Sequence, residues 1–152
     1  MKSFLLGVSL LALAACQATT HQDVPFPSQD VEISSKSVSR IYVLRTDEAK
    51  GFYRTVEVLQ SEGEIGRIGS DSYLCWERPP TRTLLRFVIE RVEMVEEKPN
   101  VERFVDAQCE PGQTYYYAIA VDSAWGQPHV RQLKPEEAHE LLKGLKPPPT
   151  KK

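Results

Sequence analysis

Between Arg40 and Val121 the chain alternates apolar and polar residues in short runs, separated by glycine, proline or charged residues. A period of two sends successive side chains to opposite faces of an extended strand, so such a chain buries its apolar faces by packing sheet on sheet. "RIYVLR" (40–45) sets Ile41 and Val43 against Tyr42 and Leu44. The polar "TDEAKG" after it reads as a hairpin connection to "YRTVEVLQ" (53–60), where Val56 and Val58 share a face. Glycines at 63, 66 and 69 break the chain around Ile65 and Ile68 into short strand, turn or bulge. "SYLCWE" (72–77) places Tyr73 and Cys75 on one face and Leu74 and Trp76 on the other, and Pro79-Pro80 ends it.

"RTLLRFVIERVEMVEE" (82–97) is the longest candidate strand. Leu85, Phe87 and Ile89 share a face, while Val92 and Met94 switch parity, which marks a bulge or a junction of two strands. A helix is the rival here, but the Val, Ile, Phe and Thr content favours strand. "VERFVDAQC" (101–109) carries Val105, Ala107 and Cys109 on one face, and "TYYYAIAV" (114–121) turns Tyr115, Tyr117, Ile119 and Val121 inward. Only "KPEEAHELLKG" predicts a helix, with Pro135 in its first turn, acids at 136 and 137, and an apolar stripe of Ala138, Leu141, Leu142 and Leu145. The expected fold is all-β: a small antiparallel β-sandwich or barrel over 37–133, with one short C-terminal helix over 134–145 and a polyproline-like tail over 146–152.

The N-terminus follows a different logic. After Lys2, Phe4 to Ala15 form an apolar run of 12 residues. A bilayer-spanning helix needs about 20, so the run suits the apolar region of a secretory signal over residues 1–15. Leu13-Ala14-Ala15-Cys16 resembles the lipobox of bacterial lipoproteins. That resemblance implies cleavage between Ala15 and Cys16, a diacylglycerol on the Cys16 thiol and an acyl chain, such as palmitate, on its amine. Two or three chains anchor a protein durably, since each buried methylene contributes about 0.8 kcal/mol. Gln17 is not the aspartate that resembles an inner-membrane retention signal, so the expected location is the cell envelope, on the periplasmic face of the outer membrane. Residues 16–36, polar and without either period, read as a flexible tether reaching at most about 65 Å.

Of three cysteines, Cys16 is assigned to acylation, leaving Cys75 and Cys109. In an oxidising compartment such a pair reads as a disulfide, closing a loop of about 34 residues for roughly 3–4 kcal/mol. Two buried free thiols, or half of a metal site, are the alternatives. No C-x-x-C spacing exists and the three histidines (His21, His129, His139) are scattered, so no metal or other cofactor is expected beyond the lipid on Cys16. With a net charge of −2 and no basic patch, nucleic acid is not an expected partner.

"RIYVLR", "GEIGRI", "SYLCWERPPTRTLLRF" and "CEPGQTYYYAIAV" together resemble the uncharacterised bacterial lipoproteins of domain-of-unknown-function family 2846. Ile41-Tyr42-Val43 matches that family's opening strand, and Gly112-Gln113-Thr114-Tyr115-Tyr116 its late "G-x-x-YY" strand. Ser72-Tyr73 stands where the family has "G-x-Y", and Pro80 to Leu84 lacks the glycine and histidine of its "PG-x-H-x-L" strand. The resemblance spans residues 38–125 and implies an immunoglobulin-like or transthyretin-like sandwich on a lipid tether, with no catalytic residues.

No nucleophile motif or zinc-binding helix occurs, and the acids of "EMVEE" (93–97) read as a solvated face, so no enzyme activity is expected. Tyr115 to Tyr117, Trp76 and Trp125 read as core or rim residues. The expected function is a non-catalytic structural or interaction module, held on membrane lipid and meeting an envelope protein or peptidoglycan. The alternative is an inhibitor of a cell-wall hydrolase such as lysozyme. For that, Arg78, Pro79, Pro80 and Arg82 of "ERPPTR" form a candidate interaction loop, two cations stiffened by prolines.

Overall fold

Alternation becomes strand wherever one parity is apolar enough to be buried. The computed structural model describes residues 19–29, 33, 37–46, 55–89, 101–121 and 128–149. Among these, the strands are β1 (His21–Gln22), β2 (Ser39–Arg45), β3 (Val56–Gln60), β4 (Gly63–Ile68), β5 (Ser72–Arg78), β6 (Thr83–Ile89), β7 (Val101–Ala107), β8 (Thr114–Val121) and β9 (Pro128–Gln132). One helix follows, α1 (Pro135–Leu142). Five strands form one sheet in the order β1-β4-β3-β6-β7, and four form the other as β5-β2-β8-β9. Neighbours run antiparallel except β2 and β8, which are parallel. The result is the expected all-β sandwich with one short helix.

Its core lies between the sheets. Ile41, Val43, Leu74, Trp76, Tyr117 and Ile119 of the four-stranded sheet meet Val56, Val58, Ile65, Ile68, Leu85, Phe87 and Ile89 of the other. Each such side chain contributes about 1.5–3 kcal/mol on full burial. The opposite face of the four-stranded sheet is buried too. Tyr42, Leu44, Tyr73, Cys75 and Tyr116 pack under Leu133 and Ala138, with Phe26, Leu141, Leu142 and Leu145 alongside. Helix α1 therefore makes a third layer, and β2 is buried along its whole length.

Three expectations change. β2 and β3 do not form a hairpin, because they belong to different sheets; the two-residue turn at Ser61-Glu62 joins β3 to β4 instead. The tether read over 16–36 is in part folded. His21 and Gln22 pair with Arg67 and Gly66 of β4, and Phe26 packs on the outer aromatic layer. The tail read from 146 onward is also held at its start, where Lys146 bridges Ser72 and Pro148 is buried. The parity switch at Val92 and Met94 lies outside the described residues.

Candidate functional site

Cys16, expected to carry lipid, Ala15 before it, Trp125 and the acids at 93–97 lie outside the described residues. The remaining sequence candidates can be placed.

Cys75 and Cys109 are both free and buried, so the expected disulfide is not formed. Parity explains why. Cys75 shares the face of Tyr73, which belongs to the layer beneath α1, whereas Cys109 lies with Ala107 in the core between the sheets. The four-stranded sheet itself separates the two sulfurs, and a bridge needs Cβ atoms about 3.5–4.5 Å apart. Burial pushes the Cys75 thiol up to about 11, against the opposing pull of hydrogen bonds from Tyr42 and Gln29 and of the Arg40 charge. At neutral pH it stays protonated and is a poor nucleophile.

The 77–82 loop turns its arginines to internal use. Arg78 is 3 % exposed, and its Nη2 donates to Glu62 Oε1 at 3.0 Å while its Nη1 reaches the Thr81 carbonyl at 3.4 Å. Arg82 is exposed but forks onto Asp106, with Nε donating at 2.9 and 3.0 Å to the two carboxylate oxygens. That hydrogen bonding holds the Asp106 carboxyl below its ordinary value. Only Pro79 and Pro80 of the candidate loop stand without a charge to offer. The loop joins β5 to β6 across the sheets, with both arginines paired to carboxylates of the domain itself.

A cluster of polar and aromatic groups lies under α1. The Tyr42 and Tyr116 rings stack with centroids 5.1 Å apart, and Tyr116 meets the His139 ring edge-on at 5.6 Å. Tyr116 Oη and His139 Nε2 are 3.0 Å apart. The Tyr42 hydroxyl donates to Gln29 Oε1 at 2.7 Å, and Gln29 Nε2 points at Cys75 Sγ at 3.8 Å. Arg40 Nη2 donates to Glu77 Oε1 at 2.7 Å beside them. Burial raises the pKa of Tyr42, Tyr73 and Tyr116 alike. These hydrogen bonds run within the domain, and the groups that make them hold the helix and the 21–29 segment to the sheet.

That segment carries the functional detail that sequence reasoning missed. Thr20 Oγ1 accepts from Gly69 N–H at 3.0 Å and hydrogen-bonds Ser72 Oγ, which donates to the Gly69 carbonyl at 2.8 Å. The buried Gln22 side chain then imitates a strand. Its Oε1 accepts from Cys75 N–H at 3.0 Å, and its Nε2 donates to the Cys75 carbonyl at 2.7 Å, on the edge of β5. Backbone pairing with β4 and amide pairing with β5 thus staple one edge of each sheet together. A signal existed only in Gly66, whose φ of +151° and contact with His21 leave no room for a side chain.

Two surface clefts accompany this arrangement. One, of about 300 Å³, lies between Gln22–Phe26 and Pro148-Pro149; the other, of about 210 Å³, is lined by Ala118, Ala120, His129, Arg131 and Leu141 among others. Among the described residues no three His, Cys, Asp or Glu side chains gather where they could hold a metal ion, and no helix is long and apolar enough to cross a membrane.

No family model, curated protein or solved structure matches this chain. Leu84 and Phe104 are the exposed large apolar residues among those described, at 47 % and 50 %, on the outer face of the five-stranded sheet. β6–β7 register sets Leu84 opposite Asp106 and Arg86 opposite Phe104, so the two are diagonal neighbours.

Proposed function

We propose that this chain is a lipid-anchored module of the bacterial cell envelope that works by contact rather than by chemistry. The observation that carries this is the apolar run ending in Leu13-Ala14-Ala15-Cys16, a peptidase and acylation signal in one. Supporting it, the domain's polar and thiol groups under α1 are spent on internal hydrogen bonds, with Cys75 held protonated. The resemblance to domain-of-unknown-function family 2846 belongs to the same proposal. Its two best-matching stretches, in β2 and β8, lie side by side in parallel register from Arg40–Thr114 to Leu44–Ala118. Acyl chains on Cys16 fix the protein to membrane lipid, at the periplasmic face of the outer membrane in a two-membrane host. Leu84 and Phe104 supply the apolar contact for an envelope partner, rimmed by Arg86 and Asp106.

Mass spectrometry of the native N-terminus tests the anchor. The expected species begins at Cys16 and carries diacylglycerol plus an amide-linked acyl chain; a free Cys16 thiol or a retained Met1 defeats the reading. A photo-crosslinking residue at position 104, used in intact envelopes, tests the contact. One protein adduct lost on Leu84→Asp is expected, and adducts to phospholipid alone would refute it.

A further inference from the structure

The folded 20–22 segment turns the anchor from a loose tether into a short one. Resting on the acylation of Cys16 proposed above, we infer that the domain stands end-on against the bilayer, with the end bearing Thr20, Ser72 and Lys146 facing the lipid headgroups. Thr20 is bound to Gly69 and Ser72, and His21 and Gln22 are paired to β4. Only residues 17–19 then separate the acylated cysteine from a fixed point. Four Cα steps, from 16 to 20, span at most about 14 Å.

Direction follows from register. β1 runs antiparallel to β4, with His21 opposite Arg67 and Gln22 opposite Gly66, so going backward from Thr20 the chain passes the C-terminal end of β4. That end holds the Gly69–Asp71 turn and the Lys146 bridge, where Lys146 N–H donates to the Asp71 carbonyl at 2.9 Å and Tyr73 N–H to the Lys146 carbonyl at 3.1 Å. The 79–82 and 110–113 turns lie at the opposite end, since Ser39 pairs with Arg78 and Gly112 N–H donates to the Val38 carbonyl. Seven-residue strands cover about 23 Å, which puts those far turns within roughly 40 Å of the headgroups. Leu84, next to the first residue of β6, sits toward the far end. The surface fitted by this end is a lipid bilayer. A partner reached by the far end must itself come within about 40 Å of that bilayer, as an integral or lipid-anchored envelope protein does.

The test uses the full acylated chain in vesicles of phosphatidylethanolamine and phosphatidylglycerol. A fluorescent amino acid is placed at position 146 or at position 110, and energy transfer to a headgroup-linked acceptor is measured. Transfer from 146 is expected to exceed transfer from 110 several-fold, and inserting a Gly/Ser stretch after Gln17 is expected to level the two. Equal or reversed transfer in a native-length chain that still floats with the vesicles overturns the end-on placement alone. A chain that fails to float overturns the anchor, and this inference with it.

Discussion

Cys75 has no exposed surface, and its sulfur lies beside the Gln29 amide in a layer of tyrosine rings. Burial raises its pKa from 9.0 to about 11, so between those values the folded chain keeps a proton that the unfolded chain releases. Stability conferred by the neutral thiol is therefore complete below pH 9 and is lost as pH climbs through 11. That difference is worth on the order of 3 kcal/mol. Tyr42, Tyr73 and Tyr116 shift the same way for the same cause, and Tyr117 reaches about 12, so they steepen the loss. The urea midpoint is expected to stay level from pH 6 to 8.5 and to fall sharply between 9 and 11; a level profile through pH 11 would mean that water reaches these groups. A second measurement concerns the same sulfur. With Cys75 and Cys109 on opposite faces of the sheet, reductant should leave the melting temperature unchanged. A cystine closing that loop would contribute roughly 3–4 kcal/mol, and its reduction would show as a drop of many degrees.

At the scale of the strand, β1 is only two residues long, yet it joins the N-terminal segment to both sheets. Gln22→Ala removes the amide that satisfies both polar groups of Cys75 on the β5 edge. Leaving a buried donor and acceptor unpaired costs about 1–3 kcal/mol each. A fall in stability of that order is expected, together with faster hydrogen exchange at the Cys75 amide; unchanged exchange would show that Gln22 does not cover it. Gly66→Ala attacks the same joint from the other side, because a Cβ at φ +151° collides with the His21 carbonyl. It should free the 19–29 segment to proteases while β2 to β9 stay folded, whereas an uncut segment would place the joint elsewhere. Most longer elements were legible in sequence because the residues of one parity share a face: Val56 with Val58, Leu74 with Trp76, and Leu85 with Phe87 and Ile89 do so as read, and the structure turns those faces to the core. β1 was not, since two residues carry no period and a glutamine amide standing in for a strand looks like a polar loop. The cysteine faces were also read correctly as Tyr73 with Cys75 and Ala107 with Cys109. Their pairing failed because parity alone does not say which side of a sheet another layer will cover. Alternation likewise placed β2 and β3 in order but not in their separate sheets, a choice made by long-range pairing of β2 with β8.

A sandwich has lateral edges that invite pairing with other chains, and this one closes one side with its own ends. β4 takes β1, while β5 takes Gln22 at Cys75 and Lys146 at Tyr73. On the other side β7 and β9 lie close to each other, and β7 carries the charges Glu102, Arg103 and Asp106 on its exposed positions. The protected edges therefore differ in kind: β7 is guarded by charge, whereas β5 is guarded by cover. β5, with Leu74, Cys75 and Trp76 in succession, is the more hazardous strand to uncover. A chain beginning at Ile33 lacks Thr20, Gln22 and Phe26, leaving the Cys75 N–H and carbonyl without their amide partner. It is expected to associate as its concentration rises, while the soluble domain beginning at Gln17 stays monomeric, as sedimentation velocity can measure. Adding Glu at position 74 would not separate the causes, because Leu74 belongs to the core between the sheets. Gln22→Ala in the chain beginning at Gln17 does, since it uncovers the same Cys75 N–H and carbonyl while the rest of the segment stays in place. If the shortened chain remains monomeric, the N-terminal segment is an ornament of the fold. If it associates, and Gln22→Ala in the longer chain associates too, the edge of β5 is the surface that the segment covers.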